Sequence, residues 1–165
     1  MKQNNGPSWL RHMDFSVVAV LPVLVASVLG QIATTPNLAP WYAGLAKPAF
    51  NPPNGIFPPV WAALYLLMAF AAWRLARLAP SPARRLALGL FFAQLALNAA
   101  WSWMFFAAHS PLLGLVNIVP QFLLVLATIA ATARVDRPAA LALAPLAAWV
   151  GFASVLNYSI WALNP

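Results

Sequence analysis

Five apolar stretches, at about residues 15–34, 58–79, 83–107, 111–133 and 138–161, constrain this chain more than any other feature, because each has the length of one bilayer-crossing helix. A span needs roughly 20 apolar residues, so a chain of this length holds at most five or six and leaves no room for a separate soluble catalytic domain. Composition agrees: 63% of the residues are hydrophobic and 7% charged, where a soluble domain carries about 25% charged residues. The expected fold is an all-α membrane protein, one domain over residues 1–165, built as a bundle of five transmembrane helices. The polar segment 1–14, with Lys2 and Arg11, precedes an apolar run from Phe15 that lacks a small-residue cleavage site, Gln31 and Pro36 intervening; it reads as a retained first helix rather than a signal peptide.

Charge sets the expected orientation. Lys2 and Arg11 lie in the N-terminal tail, Arg74, Arg77, Arg84 and Arg85 around the second connection, and Arg134 and Arg137 around the fourth, whereas the opposite face holds only Lys47. The positive-inside rule then places the N-terminus in the cytoplasm, and five spans put the C-terminus outside. The net charge of +7 follows from the same loops, retained beside anionic lipid, and not from a nucleic-acid surface. Without cysteine there are no disulfides, thiolate metal sites or cysteine nucleophiles.

The long connection 35–57 contains Pro36, Pro40, Pro48, Pro52 and Pro53, with Pro58 and Pro59 opening the second span. Proline fixes φ and removes a donor, so a non-helical segment is expected, while Trp41, Tyr42, Leu45, Phe50, Ile56 and Phe57 give it apolar surface to pack as a stiff lid. No internal repeat is visible of the kind that many transporters show.

Helical phase sorts the polar groups inside the spans. On the third, Gln94, Asn98, Trp101 and Phe105 share one face, while Gly89, Ala93, Ala96 and Ala100 form a stripe about 140° away. The small residues read either as a self-association seam or as packing within one bundle. Trp61, Tyr65, Met68 and Ala72 line one stripe of the second span, Asn117, Gln121 and Thr128 one of the fourth, and Trp149, Phe152, Ala153, Leu156 and Ile160 one of the fifth, with Asn157 at its edge. Each amide reads as interhelical glue or as a ligand contact; convergence of aromatic, small and amide residues beneath a lid favours a cavity. Trp9, Trp41 and Trp161 read as interfacial anchors.

Much chemistry is missing. The only acids, Asp14 and Asp136, fall at the predicted cytoplasmic boundary, where Asp136 is expected to pair with Arg134 or Arg137, and no carboxylate lies inside a span to couple transport to an ion. His12 and His109 are predicted at opposite faces and cannot share a metal, so solvated or capping roles are expected and no metal site. There is no phosphate-binding glycine loop and no acid/base or Ser/His/Asp set.

The run Trp41-Tyr42, Leu45, Lys47-Pro48, Phe50-Asn51-Pro52-Pro53, Phe57-Pro58-Pro59-Val60-Trp61 and Leu64-Tyr65 resembles the TspO/MBR family, the tryptophan-rich sensory proteins related to the mitochondrial translocator protein. Gln94-Leu95, Asn98, Trp101-Ser102 and Phe105-Phe106 are similar to the family's third-helix motif, and Pro145, Trp149, Ala153 and Leu156-Asn157 to its fifth. The resemblance implies a five-helix bundle, commonly a homodimer, in a bacterial inner membrane, with no obligatory cofactor and a cavity that takes porphyrins such as protoporphyrin IX, or haem, as ligand. The implied ligand-binding residues are Tyr42, Phe50, Pro52, Trp61, Tyr65, Asn98, Trp101, Asn117, Trp149, Ala153 and Leu156, and the dimer face is Gly89, Ala93, Ala96 and Ala100. It implies no conventional catalytic residues; light-dependent porphyrin breakdown, if present, would use Trp61 and Trp149. A receptor is the expected function, with a porphyrin or amphiphile transporter and a porphyrin-degrading enzyme as alternatives. Phe50 stands where many members have tryptophan, which keeps a stacking surface and removes an indole N–H. No basic residue follows Tyr158, so the sterol-recognition pattern of animal members is incomplete. Lys47 reads either as the partner for porphyrin propionates or as an ordinary interfacial lysine.

Overall fold

A computed structural model describes the backbone of residues 8–165 and the side chains of Val17 and of residues 19–165. The side chains of Trp9, Arg11, His12 and Asp14, and all of Lys2, on which the sequence reading also drew, lie outside what is described. The chain forms α1 (Ser8–Thr34), α2 (Phe57–Arg77), α3 (Pro82–Ser102), α4 (Pro111–Ala133) and α5 (Arg137–Leu163), all five long and apolar enough to cross a membrane. Local chemistry marks where three of them start. Ser81 accepts from the Arg84 N–H, Ser110 from the Leu113 N–H and Asp136 from the Ala139 N–H, each followed by proline in the first turn, where its missing donor costs nothing.

The helices form a ring in the order α1, α2, α5, α4, α3, so that α2 and α3 are consecutive in the chain yet barely touch. The ring order explains the first correction to the sequence reading. Asp136 pairs with Arg74 of α2, whose Nε donates to both carboxylate oxygens at 2.9 and 3.1 Å, and not with Arg134 or Arg137. Packing of α2 on α5 brings the end of one helix to the start of the other, whereas Arg134 closes α4 and Arg137 opens α5 pointing outward, both exposed. The Arg74 guanidinium, helped by the Ala139 N–H and opposed by partial desolvation, holds the Asp136 carboxyl below its ordinary range. Beside it, Arg84 reaches back to cap α2, donating to the Leu75 and Ala76 carbonyls at 2.8 and 3.0 Å.

The connection between α1 and α2 is less irregular than its prolines suggest. It continues from α1 as short helical turns at Thr35–Asn37 and Leu38–Tyr42, broken only by extended backbone at Ala39, and re-enters α2 through a turn at Asn54–Ile56. Pro36 is tolerated because it occupies the first turn of its helix, where no N–H is required. The third span is also not one regular helix to residue 107: beyond Ser102 it widens into a π turn, Trp103–Ala107, which moves Phe105 and Phe106 under the lid.

The two faces of α3 separate as the phase predicts. Gln94, Asn98 and Phe105 are buried, while Gly89, Ala93 and Ala96 are exposed on the outside of the bundle and Ala100 is half-buried.

Candidate functional site

A lid-side aromatic cluster and the main hydrophobic core of the bundle meet at Trp101. In the first, the lid's Tyr42 and Trp41 pack on Phe105 and Phe106 together with Leu156 and Ile160 of α5. Trp41 packs as part of the lid: its indole lies edge-on to Phe105 at 5.5 Å and stacks on the His109 imidazole at 4.7 Å and 13°. His109 Nε2 sits 2.7 Å from Asn37 Oδ1, and because the Asn37 amide nitrogen donates to the Ala33 carbonyl, that oxygen faces His109 as an acceptor.

The second cluster lies on α2, α3 and α5. Trp61 and Tyr65 stand one turn apart with ring centres 5.7 Å apart, and the Tyr65 hydroxyl donates to Asn98 Oδ1 at 2.9 Å. A Cβ at Gly30 would lie 3.4 Å from Ser102 Oγ and 3.7 Å from the Tyr65 hydroxyl, so α1 passes closely over this pair. Asn98 is only 4% exposed, and its Nδ2 has no hydrogen-bond partner among the described residues. An unmet N–H₂ in a membrane interior is costly, and it is a donor available to a ligand acceptor. Across the seam between α2 and α5, Trp149 sits edge-on to Phe57 at 5.8 Å and beside Phe152 at 5.6 Å, and Phe152 meets the lid's Phe50 at 6.4 Å.

The structure therefore joins Trp61, Tyr65 and Asn98 by direct contact, packs Trp149 and Ala153 against the same hydrophobic core, and holds Tyr42 and Leu156 in the lid cluster, with Trp101 packed against both. Phe50 and Pro52 sit in the outer lid, Phe50 half in solvent. Asn117 is buried where α4 follows the π turn, its Nδ2 donating to Met104 Sδ at 3.4 Å and its Oδ1 without a hydrogen-bond partner among the described residues. Trp101 is more constrained than expected, its ring stacked on Phe105 at 4.9 Å and its Nε1 donating to Asn157 at 3.0 Å. Lys47 is already engaged. Its ammonium donates to the carbonyls of Tyr42, Leu45 and Ala43 at 2.6, 2.9 and 3.4 Å, with Nζ 4.6 Å from the Tyr42 ring centre.

Sequence reading missed Gly30, Gly114 and Asn164, which act through contacts between distant parts of the chain that no local pattern encodes. None of the residues in the two clusters carries a formal charge, and among the described residues no three metal-ligating side chains come together.

A five-helix bundle with an aromatic interior, a buried amide donor and a proline-braced lid defines a polytopic membrane protein. The comparisons with known proteins agree on one family. The TspO/MBR sequence profile matches residues 18–162. The chain is similar to the tryptophan-rich protein TspO of Chlorobaculum tepidum, 44% identical with 79% of this chain and 84% of that protein covered. It is 36% identical to the translocator protein of Sus scrofa, covering 96% of this chain and 93% of the relative, and 37% identical to the tryptophan-rich sensory protein of Cereibacter sphaeroides, covering 75% and 77%. The chain belongs to the TspO/MBR family of membrane sensor and receptor proteins.

Proposed function

We propose that this protein is a membrane receptor for tetrapyrroles, protoporphyrin IX or haem, bound beneath the lid between α2, α3 and α5. The observation that carries the reading is the buried, unpartnered Asn98 Nδ2 beside the half-buried rings of Trp61 and Tyr65. A macrocycle offers large π faces for these rings and for Trp149, and its polar edge offers an acceptor for the amide. Ala153, small and half-buried on the α5 stripe, leaves room for a flat ligand. Trp101, fixed by Asn157 and Phe105, acts as a wall. A propionate drawn to Lys47 has to compete with the three lid carbonyls that hold its ammonium.

The outward stripe Gly89, Ala93 and Ala96 supports a second copy of the chain as partner, with Ala100 at its margin. The six arginines gathered at the α2–α3 and α4–α5 ends support a cytoplasmic placement of that end, hence the N-terminus inside a bacterial inner membrane. The deciding experiment is a protoporphyrin IX and haem titration of the purified protein in darkness, repeated under illumination. Saturable quenching of tryptophan fluorescence in the dark, with no loss of the porphyrin spectrum, establishes a receptor. Loss of that spectrum only in light, abolished in Trp61→Phe or Trp149→Phe, would make it an enzyme. Absence of quenching overturns the reading.

A further inference from the structure

The lid is built in two parts that are held in different ways. Its first part is pinned at its end: residues 35–40 are largely exposed, but Tyr42 is only 5% exposed and the half-buried Trp41 packs on Phe105, Phe106 and His109. From residue 43 to residue 56 no residue is buried at all, and Phe50 is 50% exposed. Gly44 and Gly55 bracket this second part, and a Cβ built on either meets no atom within 4 Å, so the backbone has open space at both ends. Little apolar area holds the segment down, which is the physical signature of an element that opens at low cost.

Among the described residues, its one polar tie to the helical frame is the side chain of Asn164 at the end of α5. Asn164 Oδ1 accepts from the Ala46 N–H at 3.0 Å, and Nδ2 donates to the Ala46 carbonyl at 2.9 Å, so the amide grips one lid residue by both backbone groups. The second Nδ2 hydrogen is used on the Ile160 carbonyl at 2.7 Å, which aims the amide at the lid. The remaining contacts of the segment are weaker or internal: Leu45, next to Gly44, packs half-buried against the Tyr42 and Phe105 cluster, Phe50 meets Phe152 edge-on, and Asn51 and Lys47 tie back to the lid's own Tyr42, at 3.3 Å from its hydroxyl and 2.6 Å from its carbonyl.

We propose that residues 45–54 form a flap that swings on Gly44 and Gly55, and that Asn164 is the latch that keeps it shut. Opening it uncovers Phe152 and, behind it, Trp149 on the seam between α2 and α5, giving a flat apolar ligand a lateral entrance while Tyr42 stays in place. Asn164 touches no ligand in this scheme. It sets how fast the site opens, and the same latch acts on the empty and the filled site, so it governs rates and not equilibrium affinity. The identity of the ligand as a tetrapyrrole rests on the preceding reading; the flap and its latch do not.

Hydrogen–deuterium exchange on the full chain in lipid nanodiscs tests the flap without any ligand. Asn164→Ala removes both bonds to Ala46, and exchange across 45–54 is expected to rise about tenfold, the scale of one to two net hydrogen bonds, with 35–42 and the helices unchanged. Asn164→Asp keeps the acceptor and loses the donor, and should fall between wild type and alanine. Unchanged exchange in both variants, or an equal rise over 35–42, overturns the proposal, the second because the lid then moves as one piece. In a second arm, stopped-flow mixing with protoporphyrin IX should show association and dissociation both accelerated in Asn164→Ala with the dissociation constant within twofold of wild type. A changed affinity with unchanged rates overturns the latch. If wild type takes up no porphyrin, the ligand assignment fails, and the exchange data still decide the flap.

Discussion

Trp101 and Asn157 join α3 to α5 through a single hydrogen bond, Nε1–H to Oδ1 at 3.0 Å, on the level where α4 begins. The other end of the same amide donates to the Pro111 carbonyl at 2.8 Å, so one asparagine, 1% exposed, ties three helices and fixes the plane of the indole. The arrangement needs Gly114: a Cβ there would lie 2.8 Å from Asn157 Oδ1 and 2.8 Å from the Phe105 ring, closer than side chains approach.

Gly114→Ala is therefore expected to destabilise the protein by about 1–3 kcal/mol through overpacking, although alanine is the better helix former. Asn157→Leu should cost a similar amount, because it strands the Trp101 N–H, an unmet buried group costing about 1–3 kcal/mol. Thermal unfolding in detergent, followed by tryptophan fluorescence, checks both. A Gly114→Ala variant as stable as wild type would mean that Phe105 and Asn157 have room to move.

Trp149 separates stability from binding. Trp149→Ala removes a ring that packs on Phe57 and Phe152 and, in the proposed site, one stacking face for the macrocycle. Stacking contributes about 0.5–1.5 kcal/mol beyond area burial, so porphyrin affinity should fall roughly threefold to tenfold. Trp149→Phe should recover most of it. Equal dissociation constants for wild type and a folded Trp149→Ala variant would remove Trp149 from the site.

How much of this was legible in the sequence follows from the range of each interaction. Five spans, their Ser-Pro and Asp-Arg-Pro starts, and the inward and outward faces of α3 are written locally, in apolar length and a period of 3.6 residues. The pairing of Asp136 with Arg74 was misread because two arginines stand nearer in the chain, and only the ring order, with α2 against α5, brings residues 62 apart into contact. Asn157 appeared merely as the edge of an aromatic stripe because its partners, Trp101 and Pro111, belong to other helices. The lid's prolines argued against helix, yet at Pro36 the first-turn position removes the objection. In each case the missing information was which helix neighbours which.

The Asp136–Arg74 pair predicts a definite pH dependence. The native carboxyl is held below its ordinary range by Arg74 and the Ala139 N–H, so as pH falls the unfolded chain takes up the proton first. The stabilisation is whole above the unfolded value of about 3.9 and is lost as pH falls through the lowered native value. Asp136→Asn keeps an N-cap acceptor for Ala139 and loses only the charge. Its melting temperature should lie below that of wild type at pH 7, with the gap closing below about pH 4. A gap that persists unchanged at pH 3 would show that the aspartate contributes through its shape and not its charge.

The two faces of α3 give the last test. Ala93 and its neighbours Gly89 and Ala96 face outward, so in the proposed dimer Ala93→Leu should separate the subunits, because a bulky side chain blocks the close backbone approach on which association in lipid depends. Porphyrin binding should survive. Asn98 faces inward, and Asn98→Leu should leave the dimer intact while weakening binding by the loss of one orienting hydrogen bond, about 1 kcal/mol net. Leucine there also strands the Tyr65 hydroxyl, which now donates to Asn98 at 2.9 Å, so the same substitution is best read in a Tyr65→Phe background, where that cost vanishes. If Asn98→Leu with Tyr65→Phe binds no more weakly than Tyr65→Phe alone, the unpartnered Nδ2 of Asn98 is not what the ligand meets. If Ala93→Leu stays dimeric by crosslinking in membranes, the small-residue stripe faces lipid and the subunits meet elsewhere.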